Sequence, residues 1–419
     1  MPPPDASSAT SPRQPGNAIA LRRSLSMWHA LLYGLGITIG AGIYVLIGPV
    51  ARIAGMAAPA AFVFAAALIS ISAFAFAELA TRMPVAAGEA AYVSEGFRSR
   101  AAGIVVGILV IAIAITTSAT ITRGSAEYIA VFLGWPEPVI VTAVVLAMGT
   151  IAAWGIVESI TFAAVMTVIE VGGLLLIAAL GFVMLPEAVA RLPEAVPDLT
   201  GTTAWLAMMN AGLLAVFAFI GFEGIVNVAE ELKDPRRNLP RAILATLVIT
   251  TFVYVAVVWV ALVTLGPDRL GAAEAPLAAV FAALTGWPPT AMAAIAIVAT
   301  LNGIIASIIL SARVAYGLAR RGDIPEVLGR VNQVTRTPIL ATALTTALVL
   351  ILALAVPLTG LAEWSSRLTL VMFAAVNGAL AAIKARETRP PSGIFCTPHW
   401  VPAAGLAATL AFLIGDFAL

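Results

Sequence analysis

Few residues in this chain have the types and spacing for covalent or metal chemistry. There are two histidines, His29 and His399, and one cysteine, Cys396. Neither histidine has a carboxylate or thiol cluster at ligand spacing, so no metal site is expected. A single cysteine cannot form an internal disulfide. No Gly-x-x-x-x-Gly-Lys-Ser/Thr phosphate loop occurs, so the sequence offers no ATP-binding motif. The chemistry must come from isolated ionisable groups and glycine-interrupted stretches inside long apolar runs. Glu170 is the clearest, preceded by Ile169 and followed by Val171-Gly172-Gly173. A charge at the centre of a membrane helix costs about 2.5–3.5 kcal/mol even on the lenient insertion scale, so it should face a cavity or a partner. Glu170 reads either as a carboxyl that carries a proton or helps coordinate a cation, or as a permanently protonated group bonded to a neighbouring helix.

Three further faces carry polar groups. Thr116, Thr120, Arg123 and Glu127 recur at helical spacing, and Arg123 and Glu127 can pair at i,i+4, which reads best as a structural pair. Glu223, Asn227, Glu230 and Glu231 share a second face. There Glu223 is a gating candidate, while Glu230 and Glu231 can neutralise Lys233, Arg236 and Arg237. Thr300, Gly303, Ser307 and Ser311 share a third. Their hydroxyls could reach a cation, or each could bond its own i−4 carbonyl. Two stretches are poor helix material: Gly34 to Gly42, with four glycines in nine residues, and Phe217-Ala-Phe-Ile-Gly221-Phe-Glu-Gly224. Each glycine costs about 1 kcal/mol relative to alanine in a helix. Such stretches let helices pack closely or let them unwind.

The elements that position these groups follow from composition. Of 419 residues, 61% are hydrophobic and 11% charged, against about 25% charged in soluble domains. This excludes a soluble enzyme and a disordered chain. Twenty-three basic residues against 22 acidic ones leave no basic excess for nucleic acid. The apolar runs do not alternate, which predicts an all-α polytopic membrane protein rather than a barrel. With about 20 residues per crossing, eleven spans are expected: 27–49, 57–81, 101–133, 138–155, 158–185, 205–231, 241–265, 290–313, 338–358, 364–384 and 399–417. Residues 275–285 are expected as an extracellular helix at the interface, and residues 1–26 as a disordered cytoplasmic tail. With the N-terminus inside, eighteen Arg and Lys fall on the inner side and four on the outer, with Arg123 within a span. That bias supports the orientation, and eleven spans put the C-terminus outside.

Spans 1–5 and 6–10 form two blocks of five, so the second is inverted relative to the first, and each opens with a glycine-broken span. That pairing points to a transporter's central site. Unwound N–H groups attract a carboxylate and freed carbonyls an ammonium, which suits a zwitterion such as an amino acid.

Several motifs carry a family resemblance. Gly36-Ile-Thr-Ile-Gly-Ala-Gly-Ile-Tyr44 resembles the first-span signature of the amino acid–polyamine–organocation superfamily. Residues 217–242 are similar to the sixth-span signature of its bacterial amino acid permeases. Ser311 to Pro325 resembles the exit of its eighth span, and Glu78 to Pro84 with Gly88 to Tyr92 resembles its first inner loop. The resemblance runs from about residue 24 to 390. It implies a LeuT-type bundle with a 5+5 inverted repeat, a first repeat at 27–185, a second at 205–384 and a peripheral helix at 399–417. The family's usual twelfth span has no counterpart.

By the same resemblance, the substrate site comprises Thr38, Ile39, Gly40, Ala41, Gly42, Phe217, Ala218, Phe219 and Ile220. The N–H groups of Ala41 and Gly42 would hold the carboxylate, and the carbonyls of Thr38, Phe217, Ala218 and Ile220 the ammonium. Phe217 takes the place of an aromatic gate, or packs like any core ring. Glu170, Glu223 and Ser307 are the coupling and gating candidates, with Glu170 where many proton-coupled members carry a lysine. The expected function is secondary active amino acid transport in the cell membrane, by proton symport, with sodium as the alternative coupling ion and no cofactor. Exchange, polyamine or organic-amine transport and amino acid sensing are the alternatives, and an enzyme is not expected. The expected partners are the amino acid, membrane lipid and a homodimer partner; small residues near the break leave room for a side chain, and the lack of a buried charge opposite it favours a neutral substrate.

Overall fold

A computed structural model describes residues 25–84, 88–155, 160–197, 201–229, 232–387 and 393–417. Helix occupies each expected span. The first is split into α1 (Met27–Ile39) and α2 (Gly42–Ala54), followed by α3 (Ala58–Arg82). A short α4 (Gly88–Phe97) precedes α5 (Arg100–Ala130), α6 (Glu137–Trp154) and α7 (Ile160–Met184). A single-turn α8 (Glu187–Ala190) leads to α9 (Thr202–Phe217), which ends in a break and a 3₁₀ stretch, Phe222–Val228. Then come α10 (Pro235–Ala272), α11 (Pro276–Thr285), α12 (Thr290–Arg320), α13 (Ile339–Ala355), α14 (Leu358–Arg386) and α15 (Trp400–Phe417). Among the described residues, eight helical stretches are long and apolar enough to cross a membrane. One of them, Gly42–Arg82, takes in the second half of span 1 and all of span 2. The protein is an all-α polytopic membrane protein.

Local chemistry sets the helix ends. Pro59, Pro138, Pro235 and Pro276 stand in first turns, where a missing N–H costs nothing. The Ser99 hydroxyl caps α5 by accepting the Ala102 N–H at 3.2 Å. α10 bends at Gly266, next to Pro267, where φ is +74° and the helix is interrupted.

The described residues begin at Leu25, two residues inside the expected tail. Leu25 is buried, bridges to Leu232, and its carbonyl accepts the Lys233 N–H at 2.9 Å; residues 1–24 lie outside the described residues. In α11, Leu277, Val280, Phe281 and Leu284 are buried against α10, α12, α2 and α7. Between α3 and α5 the chain carries α4, packed on α5 and α14.

Ionic contacts tie both ends of α14 to its surroundings. Glu78, fully buried at the end of α3, bonds Arg82 at 2.6 Å and Lys384 of α14 at 2.9 Å. It also accepts the Thr397 N–H at 2.7 Å and the Thr397 hydroxyl at 2.6 Å. Arg82 forks on to Glu387, and Lys384 donates to the Thr397 carbonyl at 2.5 Å. At the other end, Arg367 pairs with Asp416 of α15 at 2.6 Å.

Candidate functional site

The break in span 1 is short. Gly40 and Ala41 form a turn between α1 and α2, and Ala41 leaves helical geometry at φ −125° and ψ −33°. The Gly40 N–H still bonds the Gly36 carbonyl at 3.1 Å, and Val45 is the first α2 residue to bond back across the turn, to Ala41 at 3.3 Å. The leading N–H groups of α2, from Gly42 onward, have no intrahelical acceptor and point their partial positive charge into the turn.

The break in span 6 is longer. Beyond Phe217 the chain tightens into i→i+3 bonds, from Ala218, Phe219 and Ile220 to Ala215, Val216 and Phe217. Gly221 then takes φ +128°, a conformation that L side chains rarely adopt. Its N–H donates to Glu223 Oε2 at 2.9 Å. The expected Glu223–Asn227 face does not survive this geometry. Phe222–Val228 is 3₁₀ helix, and at three residues per turn i and i+4 no longer align. Glu230 and Glu231 lie outside the described residues.

The two breaks touch. A Cβ on Gly42 would lie 2.4 Å from Ala218 Cα, and one on Gly221 2.8 Å from the Ile37 carbonyl oxygen. Thr38, Ile39, Gly40, Ala41 and Gly42 are therefore brought against Phe217, Ala218 and Phe219, all buried, with Ile220 half-buried. Span 8 joins them at Gly303, where a Cβ would lie 3.3 Å from the Ala41 Cβ. Ser307 is one turn further along α12 and half-buried.

Glu170 lies beside the span-1 break. α7 packs on a glycine ridge of α1, with the Thr167 hydroxyl against Gly36 and Glu170 Oε2 3.5 Å from where a Gly40 Cβ would stand. The Tyr44 hydroxyl donates to the Glu170 backbone carbonyl at 2.9 Å, and the Tyr44 carbonyl accepts the Tyr128 hydroxyl at 2.8 Å. The carboxyl itself is fully buried.

The remaining polar faces mostly serve packing. Arg123 does not pair with Glu127. It reaches Glu137 of α6 at 2.8 Å and the Ala353 carbonyl of α13 at 2.9 Å, acceptors that neighbouring helices supply, while Glu127 is half-buried. Glu127 instead lines a cavity of about 170 Å³ with Val45, Arg52 and Thr359. Thr116, Thr120 and Thr300 bond their own i−4 carbonyls, and Ser311 bonds the Thr345 hydroxyl at 3.0 Å. Phe222 packs with Phe76 and Phe373, ring centroids 5.7 and 5.4 Å away.

Two groups escaped the sequence reading. Glu89 of α4 is buried, and burial pushes its carboxyl up to about 7. Its neighbour Tyr92 is raised further, for the same reason. Tyr254 of α10 places its hydroxyl 2.9 Å from the Thr38 carbonyl and 2.8 Å from the Ala218 carbonyl, one from each break.

A family profile described as amino acid permease matches residues 25–418. A Mycobacterium tuberculosis protein named an uncharacterized transporter is 32% identical over 88% of this chain and 82% of its own length. Two Arabidopsis thaliana relatives are cationic amino acid transporter 3, mitochondrial, and cationic amino acid transporter 2, vacuolar. They are 28% and 26% identical over 89% and 85% of this chain, and 64% and 59% of their own lengths. These are transporters, not enzymes. With glycine-broken helices meeting inside an all-α membrane bundle, the chain is an amino acid transporter and belongs to the amino acid permease family.

Proposed function

We propose that the protein is a secondary active amino acid carrier, a proton symporter that works by alternating access with its substrate at the paired breaks. The observation that carries this reading is the meeting of Gly40-Ala41-Gly42 with Phe217-Ala218 and the placement of Glu170 beside it. Freed N–H groups of α2 suit a carboxylate, and carbonyls at the end of α1 and along the span-6 break suit an ammonium. Residues 27–185 and 205–384 would be the inverted halves of a LeuT-type bundle, with 399–417 peripheral and the N-terminus cytoplasmic in the cell membrane. A homodimer is compatible with this arrangement.

A cationic substrate has a specific observation in its favour. A buried carboxyl stands at the break, and the Arabidopsis relatives are named for cationic amino acids. Counterflow in proteoliposomes should therefore include arginine and lysine beside neutral amino acids. Accumulation that collapses with an uncoupler separates symport from exchange.

Glu170→Gln mimics the protonated carboxyl. It is expected to retain binding and exchange but to lose accumulation driven by a pH gradient. Glutamine can keep a structural hydrogen bond, so wild-type accumulation in this variant would remove Glu170 from ion coupling.

The orientation gives a second expected result. With Cys396 replaced, a cysteine at Asn332, between α12 and α13, should resist an impermeant thiol reagent applied outside intact cells and react after permeabilisation. Labelling from outside would invert the topology.

A further inference from the structure

The Tyr254 hydroxyl sits on the acceptors that an ammonium would use. Its ring is fully buried, edge-on to Phe219 of the span-6 break at 5.2 Å and to Phe62 of α3 at 5.7 Å. The hydroxyl reaches the Thr38 carbonyl at 2.9 Å and the Ala218 carbonyl at 2.8 Å. Thr38 lies among the last residues of α1, whose carbonyls have no intrahelical donor and carry the negative end of the helix dipole. Ala218 lies in the turn that closes α9. Buried carbonyls need a donor, and one hydroxyl has a single proton for both of these. An ammonium brings three.

We propose that the Tyr254 hydroxyl is the built-in counterpart of the substrate's amino group: an arriving ammonium displaces it from the Thr38 and Ala218 carbonyls, and Tyr254 thereby sets specificity for the amine. The inference rests on the reading that the paired breaks hold the amino acid. It assigns the amine a competitor within the protein and gives α10 a direct sense of occupancy. The hydroxyl can leave only by moving a ring that is wedged between Phe219 and Phe62.

Tyr254→Phe keeps the ring and removes the donor. Removing a competitor and depriving two carbonyls of their donor act in the same direction. The full chain in nanodiscs, probed with labelled L-leucine and L-arginine, should therefore bind the one it recognises about 3–10-fold more tightly. The corresponding des-amino acids, 4-methylpentanoate and 5-guanidinopentanoate, should compete no better than against wild type. A purely structural clamp predicts the opposite: weaker binding of amino and des-amino compounds alike. Unchanged or weaker amino acid binding overturns the proposal, as does an equal gain for the des-amino compounds. Wild type carrying 3-fluorotyrosine at position 254 provides a measurement independent of the variant's folding. Its fluorine resonance should shift on saturation with the amino acid and stay put with the des-amino compound; no shift with the amino acid overturns the proposal. Gly42→Val distinguishes the two levels of failure. The probe is whichever amino acid wild type binds in the counterflow panel; if Gly42→Val binds it as wild type does, the breaks are not the site and both readings fall. If Gly42→Val loses binding and Tyr254→Phe does not tighten it, only the tyrosine proposal falls.

Discussion

Gly42→Val is expected to abolish amino acid binding, by 100-fold or more, while the protein still folds and inserts. The first carbon added at Gly42 would lie 2.4 Å from Ala218 Cα and 3.0 Å from Ala218 Cβ. The obstacle is backbone, which cannot rotate out of the way as a side chain can. Ordinary contact begins at about 3.4 Å, so the two breaks must part by roughly 1 Å, and a misplacement of that size around a site can cost on the order of 100-fold. Overpacking on this scale destabilises by about 1–3 kcal/mol, less than a bundle of this size should need to unfold. Equilibrium binding to purified protein, with thermal unfolding in parallel, checks the prediction. Gly172→Ala is the control. It is a glycine in mid-membrane too, but a Cβ there meets nothing within 4 Å, and near-wild-type binding is expected. A Gly42→Val protein with unchanged affinity would move the site away from the breaks.

Glu78→Ala is expected to have the largest effect on stability. Glu78 is fully buried and holds Arg82, Lys384 and both donors of Thr397. Removing it leaves the Lys384 ammonium without its carboxylate, and breaking a buried pair from one side costs about 3–5 kcal/mol. The result should be a markedly lower unfolding temperature in detergent and poor recovery from membranes. Replacing Lys384 by Met in the same chain removes the stranded charge and should restore part of the loss, whereas two independent surface effects would simply add. An unfolding temperature within a degree of wild type for Glu78→Ala would show that water takes over the role of the carboxylate.

The bundle was legible in the sequence because its signal is local. A bilayer demands about 20 apolar residues per crossing, and that demand leaves the same mark whether or not neighbouring helices are known. Gly42 and Gly221 were legible for a similar reason, since clustered glycine is conspicuous in an apolar run. Pairings across helices were not. Arg123 has a carboxylate at i,i+4 in Glu127, and local spacing selects it, yet the guanidinium turns to Glu137 and to α13. The face of Glu223 failed because a helical period was assumed through a segment that tightens to 3₁₀. Tyr254 gave no local sign at all. It stands in an apolar stretch of α10 ahead of the bend at Gly266, and its two acceptors are 216 and 36 residues away in sequence. Glu89 sits in a short polar stretch that reads as loop until α4 buries it.

The knot around Glu78 has a consequence for how the protein is made. Thr397, which supplies two of the donors to its carboxylate, is 319 residues downstream. At about 5–20 residues per second of synthesis, Glu78 leaves the ribosome roughly 15–60 s before Thr397 does. For most of that interval its only partner in the knot is Arg82, one helical turn away. The end of the bundle where α3, α14 and the approach to α15 converge can therefore lock only once Thr397 is delivered. A nascent chain stalled before Lys384 should present that end open to proteolysis or chaperone binding, and a finished chain should present it sealed.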